Sequence, residues 1–181
     1  MNPLFWRRLR FYLVLFGVLG VIGWIIKPTP TRAYRNARRS SCQSSLRQIG
    51  MALQMYAADY DECLPPRQWG APLMVYAKDE RLFQCPETNF TIGTTDYFFN
   101  SRFCGVPRTK ISSPRTLIVM GDGSDNAPFD ATLGQLPPAW LKDESSPAWR
   151  HLDGANYGFA DGHVKWLKAK GVSRDFRVVT R

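Results

Sequence analysis

The chain has no acidic residue before Asp59 and no glutamate before Glu62. Its formal charge of +9 arises from 24 Lys and Arg against 15 Asp and Glu. Nine of the basic residues (Arg7, Arg8, Arg10, Lys27, Arg32, Arg35, Arg38, Arg39 and Arg47) precede Asp59, so the remainder balances at 24 − 9 = 15 against 15. A nucleic-acid-binding domain needs its own basic face to neutralise phosphates. The neutral remainder argues against that class, and no nucleic-acid partner is expected. Also missing are a Gly-x-Ser-x-Gly elbow, a phosphate-binding P-loop, a dinucleotide fingerprint and any internal repeat. No catalytic residue is assigned, and the chain reads as a non-enzyme.

Long apolar runs are scarce. Phe11 to Ile26 is 16 residues without a charge. At about 1.5 Å per residue it spans roughly 24 Å, against a ~30 Å hydrocarbon core. Arg7, Arg8 and Arg10 precede it, Lys27 follows it, and Tyr12 and Trp24 sit near its ends. No small-residue cleavage site follows, so it reads as an uncleaved membrane anchor rather than a signal peptide. The expected organisation is a basic segment at 1–10, a transmembrane helix at 11–26, a proline-containing linker at 27–30 and a globular domain at 31–181.

Proline is absent from 31 to 59, and Gly50 is the only glycine there. Cys42, Leu46, Ile49, Leu53, Tyr56 and Tyr60 recur at spacings of four, three, four, three and four. That stripe predicts one long helix with its apolar face on a core. Trp69 to Ala77 reads as a short helix, Leu82 to Pro86 as a brief extended piece, and Asp96 to Asn100 and Thr116 to Met120 as strands. Ser124 to Ser146, with three prolines, reads as an irregular excursion. Near the end, Asp161-Gly162 suits a two-residue type I′ turn that would pair Phe159 with Val164 and Tyr157 with Trp166. The sum is an α+β fold, a long helix laid on a small antiparallel sheet that ends in a hairpin.

Three constellations could carry chemistry. His151, His163 and Asp161 invite a metal, but a three-strand meander would hold the histidines roughly 16 Å apart. The set Asp122, Ser124, Asp125 and Asn126 offers clustered oxygens of the kind calcium takes, in residue types that also simply form turns. Calcium is the one cofactor suggested, and none is required. Four cysteines allow three pairings. A continuous helix would put Cys42 about 25 Å from the helix exit, which excludes Cys42–Cys63 and leaves Cys42 with Cys85 or Cys104.

His151, nine residues, then Asp161-Gly162 resembles the H-x9-DG domain of prepilin-type proteins. The helix block from Ala37 to Gly50 with its exit at Met55 to Glu62, the Phe83-Gln84-Cys85-Pro86 segment and the Leu117 to Asp122 segment resemble the same family in the same order. The resemblance implies a pilin-like fold, with His151, Asp161 and Gly162 as its motif residues. Cys42 and Cys85 both sit in family-like blocks, so it implies the pairs Cys42–Cys85 and Cys63–Cys104. The prepilin cleavage glycine and the Phe-Thr-Leu-Ile-Glu opening are absent; the segment opens Arg10-Phe11-Tyr12-Leu13-Val14. By resemblance the chain is a membrane-anchored structural protein, a component or accessory of a type II secretion or pilus-type apparatus. Its partners would be the lipid bilayer and other membrane, pilus or secretion subunits. It would cross the bacterial inner membrane once, amino end in the cytoplasm and main domain outside. A single-pass subunit stabilising another membrane complex is the alternative, and a metal-dependent envelope enzyme the second.

Overall fold

The computed structural model describes residues 3–25 and 32–178. The linker expected at 27–30 lies outside them. The chain divides into two compact units, Met1–Ala33 and Tyr34–Arg181.

The first unit holds helix α1, Pro3–Ile25. No helix among the described residues is long and apolar enough to cross a membrane. This corrects the expected transmembrane segment at 11–26, and with it the single-pass inner-membrane placement and the extracytoplasmic assignment of the domain. The physical reason is length. Arg7, Arg8 and Arg10 occupy the amino-terminal part of α1, and its uncharged part, Phe11 to Ile25, is only about 22 Å of helix at 1.5 Å per residue.

Helix α2 runs Arg32–Asp59 without a break and belongs to the second unit from Tyr34 onward. Its buried residues include Cys42, Leu46, Ile49, Leu53 and Tyr56, the stripe read from the sequence, whereas Tyr60 lies past the helix and is exposed. Helix α3 spans Gly70–Ala77 and ends on Lys78 in the left-handed conformation. The piece expected as extended at 82–86 begins inside a 3-10 turn, Glu80–Phe83, because the Asp79 carboxylate accepts from the Arg81 amide and caps it.

Five strands follow: β1 Thr94–Asn100, β2 Ile118–Pro128, β3 Thr132–Leu133, β4 Gly154–Phe159 and β5 Val164–Lys168. Their order is β3-β1-β2-β4-β5. The β1–β3 pair is parallel and the others antiparallel, so the sheet is mixed rather than antiparallel throughout. Both of its faces are covered. Tyr97, Phe99 and Val119 join the core under α2 with Leu46, Ile49, Leu53, Trp69 and Phe83. Phe98, Ile118, Tyr157 and Phe159 pack on the opposite face with Leu136, Val172 and Phe176. The long excursion and the carboxyl-terminal segment supply that second cover. All of β4 is therefore buried, where a one-sided sheet would alternate.

The closing hairpin differs from expectation by one residue. Gly158 pairs with Val164, Tyr157 with Lys165 and Asn156 with Trp166. The Phe159 amide donates to the His163 carbonyl at 2.9 Å, which leaves Ala160, Asp161 and Gly162 as a three-residue loop. Only Gly162 has positive φ, at 91°, so the turn is not type I′. A one-residue slip exchanges the faces of a strand. Trp166 consequently sits half-buried beside Asn156, while Tyr157 points into the other core. The loop also docks on α2, where a Cβ added to Gly50 would lie 3.3 Å from the Gly162 carbonyl oxygen. The lone glycine of α2 thus marks a close approach of helix and turn.

Candidate functional site

The sheet brings a set of polar side chains together under α2, around a disulfide. Cys42 on α2 and Cys85, just after the 3-10 turn, are joined with Cα atoms 5.3 Å apart. Cys63 and Cys104 are free thiols, which corrects the second expected disulfide. Cys63 pairs across an isolated bridge with Pro107, and the Gly105 amide reaches the Leu64 and Pro65 carbonyls. Cys104 is therefore out of register with Cys63 by about three residues, roughly 10 Å, and a disulfide needs Cα atoms within about 7 Å.

His151 lies over the disulfide and is 1% exposed. Its position follows from a tight turn in which Leu152 and Asp153 both have positive φ and the His151 amide donates to the Gly154 carbonyl at 2.8 Å. Its carbonyl accepts from Trp166 Nε1 at 2.7 Å. Its Nε2 is 3.4 Å from Cys85 Sγ and 3.5 Å from Asp122 Oδ2. Asp122 Oδ2 accepts the Asn156 amide at 2.7 Å. Asp122 Oδ1, His151 Nδ1, Asn156 Oδ1, Arg150 Nη1 and Arg39 Nε are buried without a hydrogen-bond partner among the described residues.

Burial sets the protonation of this cluster. It pushes the Asp122 carboxyl up to about 7, against the opposing pull of the Arg150 charge. It pushes the His151 imidazole down to about 4, and Arg150 adds to the effect. The two side chains are within ion-pair distance, yet both shifts favour the neutral forms. At mildly acid pH the proton stays on Asp122 and the pair is uncharged. Tyr97 and Tyr157 are raised by the same burial, so no hydroxyl here ionises in the ordinary range.

Asp96, at the start of the apolar part of β1, was not singled out in the sequence. It is fully buried. One oxygen accepts the Asn126 amide at 2.7 Å; the other accepts the Cys85 amide at 2.8 Å and the Thr88 hydroxyl. The register passes from Thr95↔Ala127 to Tyr97↔Asp122, so residues 123–126 of β2 bulge opposite Asp96. A lone carboxylate beside Tyr97-Phe98-Phe99 was the available signal. Asp96→Ala should cost about 2–3 kcal/mol by leaving buried amides unpaired. Urea unfolding checks this, and a loss below that of Asp79→Ala at the surface would contradict it.

The expected calcium ligands are divided among different environments. Asp122 faces the buried cluster. Asp125 pairs with Arg150, whose Nη2 also donates to the Gly123 carbonyl at 2.7 Å. Asn126 Oδ1 accepts from the Thr94 hydroxyl at 3.3 Å, and Ser124 lines a surface cleft of about 390 Å³ together with Asp125, Glu87, Thr88 and Arg150. The motif residues are separated as well. His163 Nδ1 lies 2.6 Å from Asp161 Oδ1 at the surface, with its ring stacked on Phe159, whereas His151 is enclosed.

A sequence-family profile described as "Protein of unknown function (DUF1559)" matches residues 32–79, which is α2 through α3. The match covers a minority of the chain and stops before the His151 to Gly162 segment. No curated protein and no solved structure matches the chain.

Proposed function

We propose that residues 34–181 are a non-catalytic assembly module of the pseudopilin kind, a subunit that packs against other protein subunits of a secretion or pilus-type apparatus. The observation that carries this reading is how the H-x9-DG residues are used. His151 backs onto the Cys42–Cys85 disulfide of α2, and Gly162 lies against Gly50 of the same helix. Both ends of the motif join hairpin to helix, as a scaffold requires. The family match over α2 and α3 supports the same reading.

The other side of α2 supports it too. Met51 and Met55, one turn apart, and Tyr60 beyond the helix end are 59%, 54% and 54% exposed. An apolar strip facing away from the core suits packing against a helix of a neighbouring pilin-like subunit. The test is site-specific photo-crosslinking of the full chain in its own cells, with the probe at Met55 and a control probe at Lys165. The expected result is an adduct with a second copy or another pilin-like chain from Met55 alone. Equal labelling from both sites, or none from Met55, overturns the reading.

A further inference from the structure

We propose that Cys42, Cys85, His151 and Asp122 form, once the disulfide is reduced, a closed site for a borderline-soft divalent cation of the zinc type. The inference goes beyond the assembly role and does not depend on it. Cys42 Sγ, Cys85 Sγ and one imidazole nitrogen of His151 all lie within 4.8 Å of one another, and all three residues are buried. A carboxylate oxygen of Asp122 is 3.5 Å from His151 Nε2 but lies outside that three-atom group, so the carboxylate has to turn toward the sulfurs to become the fourth ligand. Two sulfurs, one nitrogen and one oxygen are a tetrahedral donor set that such cations accept.

The distances suit the change. Two thiolates on a tetrahedral zinc stand roughly 3.8 Å apart, given zinc–sulfur bonds of about 2.3 Å. Each sulfur has to move by only about 0.9 Å from its position in a disulfide, and the Cα separation of 5.3 Å allows that by side-chain rotation. Charge suits it as well. Two thiolates, a carboxylate and a divalent cation sum to one negative charge. Arg39 Nε and Arg150 Nη1 are buried and unpartnered, and both arginines act electrostatically on His151. Arg39 Nε and the Nη1 of Arg150, whose Nη2 is already engaged by Asp125, are thus the donors available to offset the residual charge. A second observation concerns Asp122 itself. Its Oδ1 is enclosed without a partner, an arrangement that costs free energy and that coordination of the carboxylate would relieve.

The chemistry balances with a dithiol as reductant. Thiol–disulfide exchange breaks the Cys42–Cys85 bond, two electrons and two protons pass to the two sulfurs, and the dithiol closes to its own disulfide. The cation then displaces both thiol protons into solvent, together with the carboxyl proton that burial holds on Asp122 below about pH 7. Cys42 and Cys85 are both buried, so the reductant reaches the bond when this part of the fold opens.

The test uses the full chain carrying Cys63→Ser and Cys104→Ser, so that only the two disulfide sulfurs remain. A phosphine reduces it without adding competing thiols. The S–S bond breaks, water gives its oxygen to the phosphine oxide, and the two hydrogens of that water go to the sulfurs. Cobalt(II) is the probe. The expected result is one bound equivalent with a thiolate-to-cobalt charge-transfer band and tetrahedral visible bands, displaced by zinc. The oxidised chain should show neither band. His151→Gln and Asp122→Asn, each checked for fold by near-ultraviolet circular dichroism, should bind at least tenfold more weakly. Absence of the charge-transfer band after reduction, an equal response from the oxidised chain, or parental affinity in both folded variants overturns the proposal.

Discussion

Replacing Cys42 and Cys85 together by alanine is expected to lower the stability of the folded unit by about 4 kcal/mol. The bond closes a loop with a sequence separation of 43. Constraining a loop of that length removes chain entropy worth about 4 kcal/mol at 25 °C. The bond also ties the middle of α2 to the segment whose Cys85 amide Asp96 accepts. For a unit of this size the melting temperature should fall on the order of 10 °C. Calorimetry on the full chain measures it. Cys63→Ala/Cys104→Ala, which removes two free thiols, should cost no more than about 1 kcal/mol. Equal losses from the two pairs would show that Cys42–Cys85 does not constrain the chain.

The second large effect is hidden in the unmodified protein and appears in single variants. Folding raises Asp122 from 3.8 to about 7. The stability from its neutral form is fully present below the unfolded value and is lost as pH rises through the folded one. Folding lowers His151 from 6.5 to about 4. Its contribution is present above the unfolded value and is lost as pH falls. From about pH 4 to 6.5 the folded pair holds one proton, on Asp122, and the unfolded pair also holds one, on the histidine. The two slopes cancel, so the pair leaves stability nearly level across this window.

Asp122→Asn removes one side of that balance. Its stability should rise with pH relative to the parent, by about 3 kcal/mol between pH 4 and 6.5. His151→Gln removes the other side, and its stability should fall by a similar amount over the same window. Urea midpoints of the three chains at pH 4.5, 5.5 and 6.5 decide the matter. Three parallel profiles would mean that Asp122 and His151 are not held neutral by burial.

Local patterns made much of the fold legible. The proline-free stretch and its apolar stripe marked α2 because a core-facing helix must repeat every three or four residues. Runs such as Tyr97-Phe98-Phe99 and Ile118-Val119-Met120 marked buried strands, since each has to place apolar side chains on both faces of a covered sheet. The hairpin was visible, but its register was not. Asp161-Gly162 is compatible with a two- or a three-residue loop, and the choice between them decides whether Tyr157 or Asn156 stands opposite Trp166. The apolar run of α1 was legible as a helix, but its uncharged length falls short of a span.

By itself the sequence determined the long helix, the strands around Phe98 and Val119, the closing hairpin and the Cys42–Cys85 tie, the last through resemblance. These depend on short-range periodicity, on turn chemistry, or on blocks whose pattern lies in a few adjacent residues. Only the tertiary structure decided that Asp96, Asp122, Arg150, His151 and Asn156 meet beneath α2, that Asp122 leaves the loop where calcium was expected, and that Cys63 and Cys104 stay apart. Each of these outcomes depends on sheet order, on the bulge opposite Asp96 and on burial from two sides. Those are properties of segments distant in the chain, and no spacing within one segment encodes them.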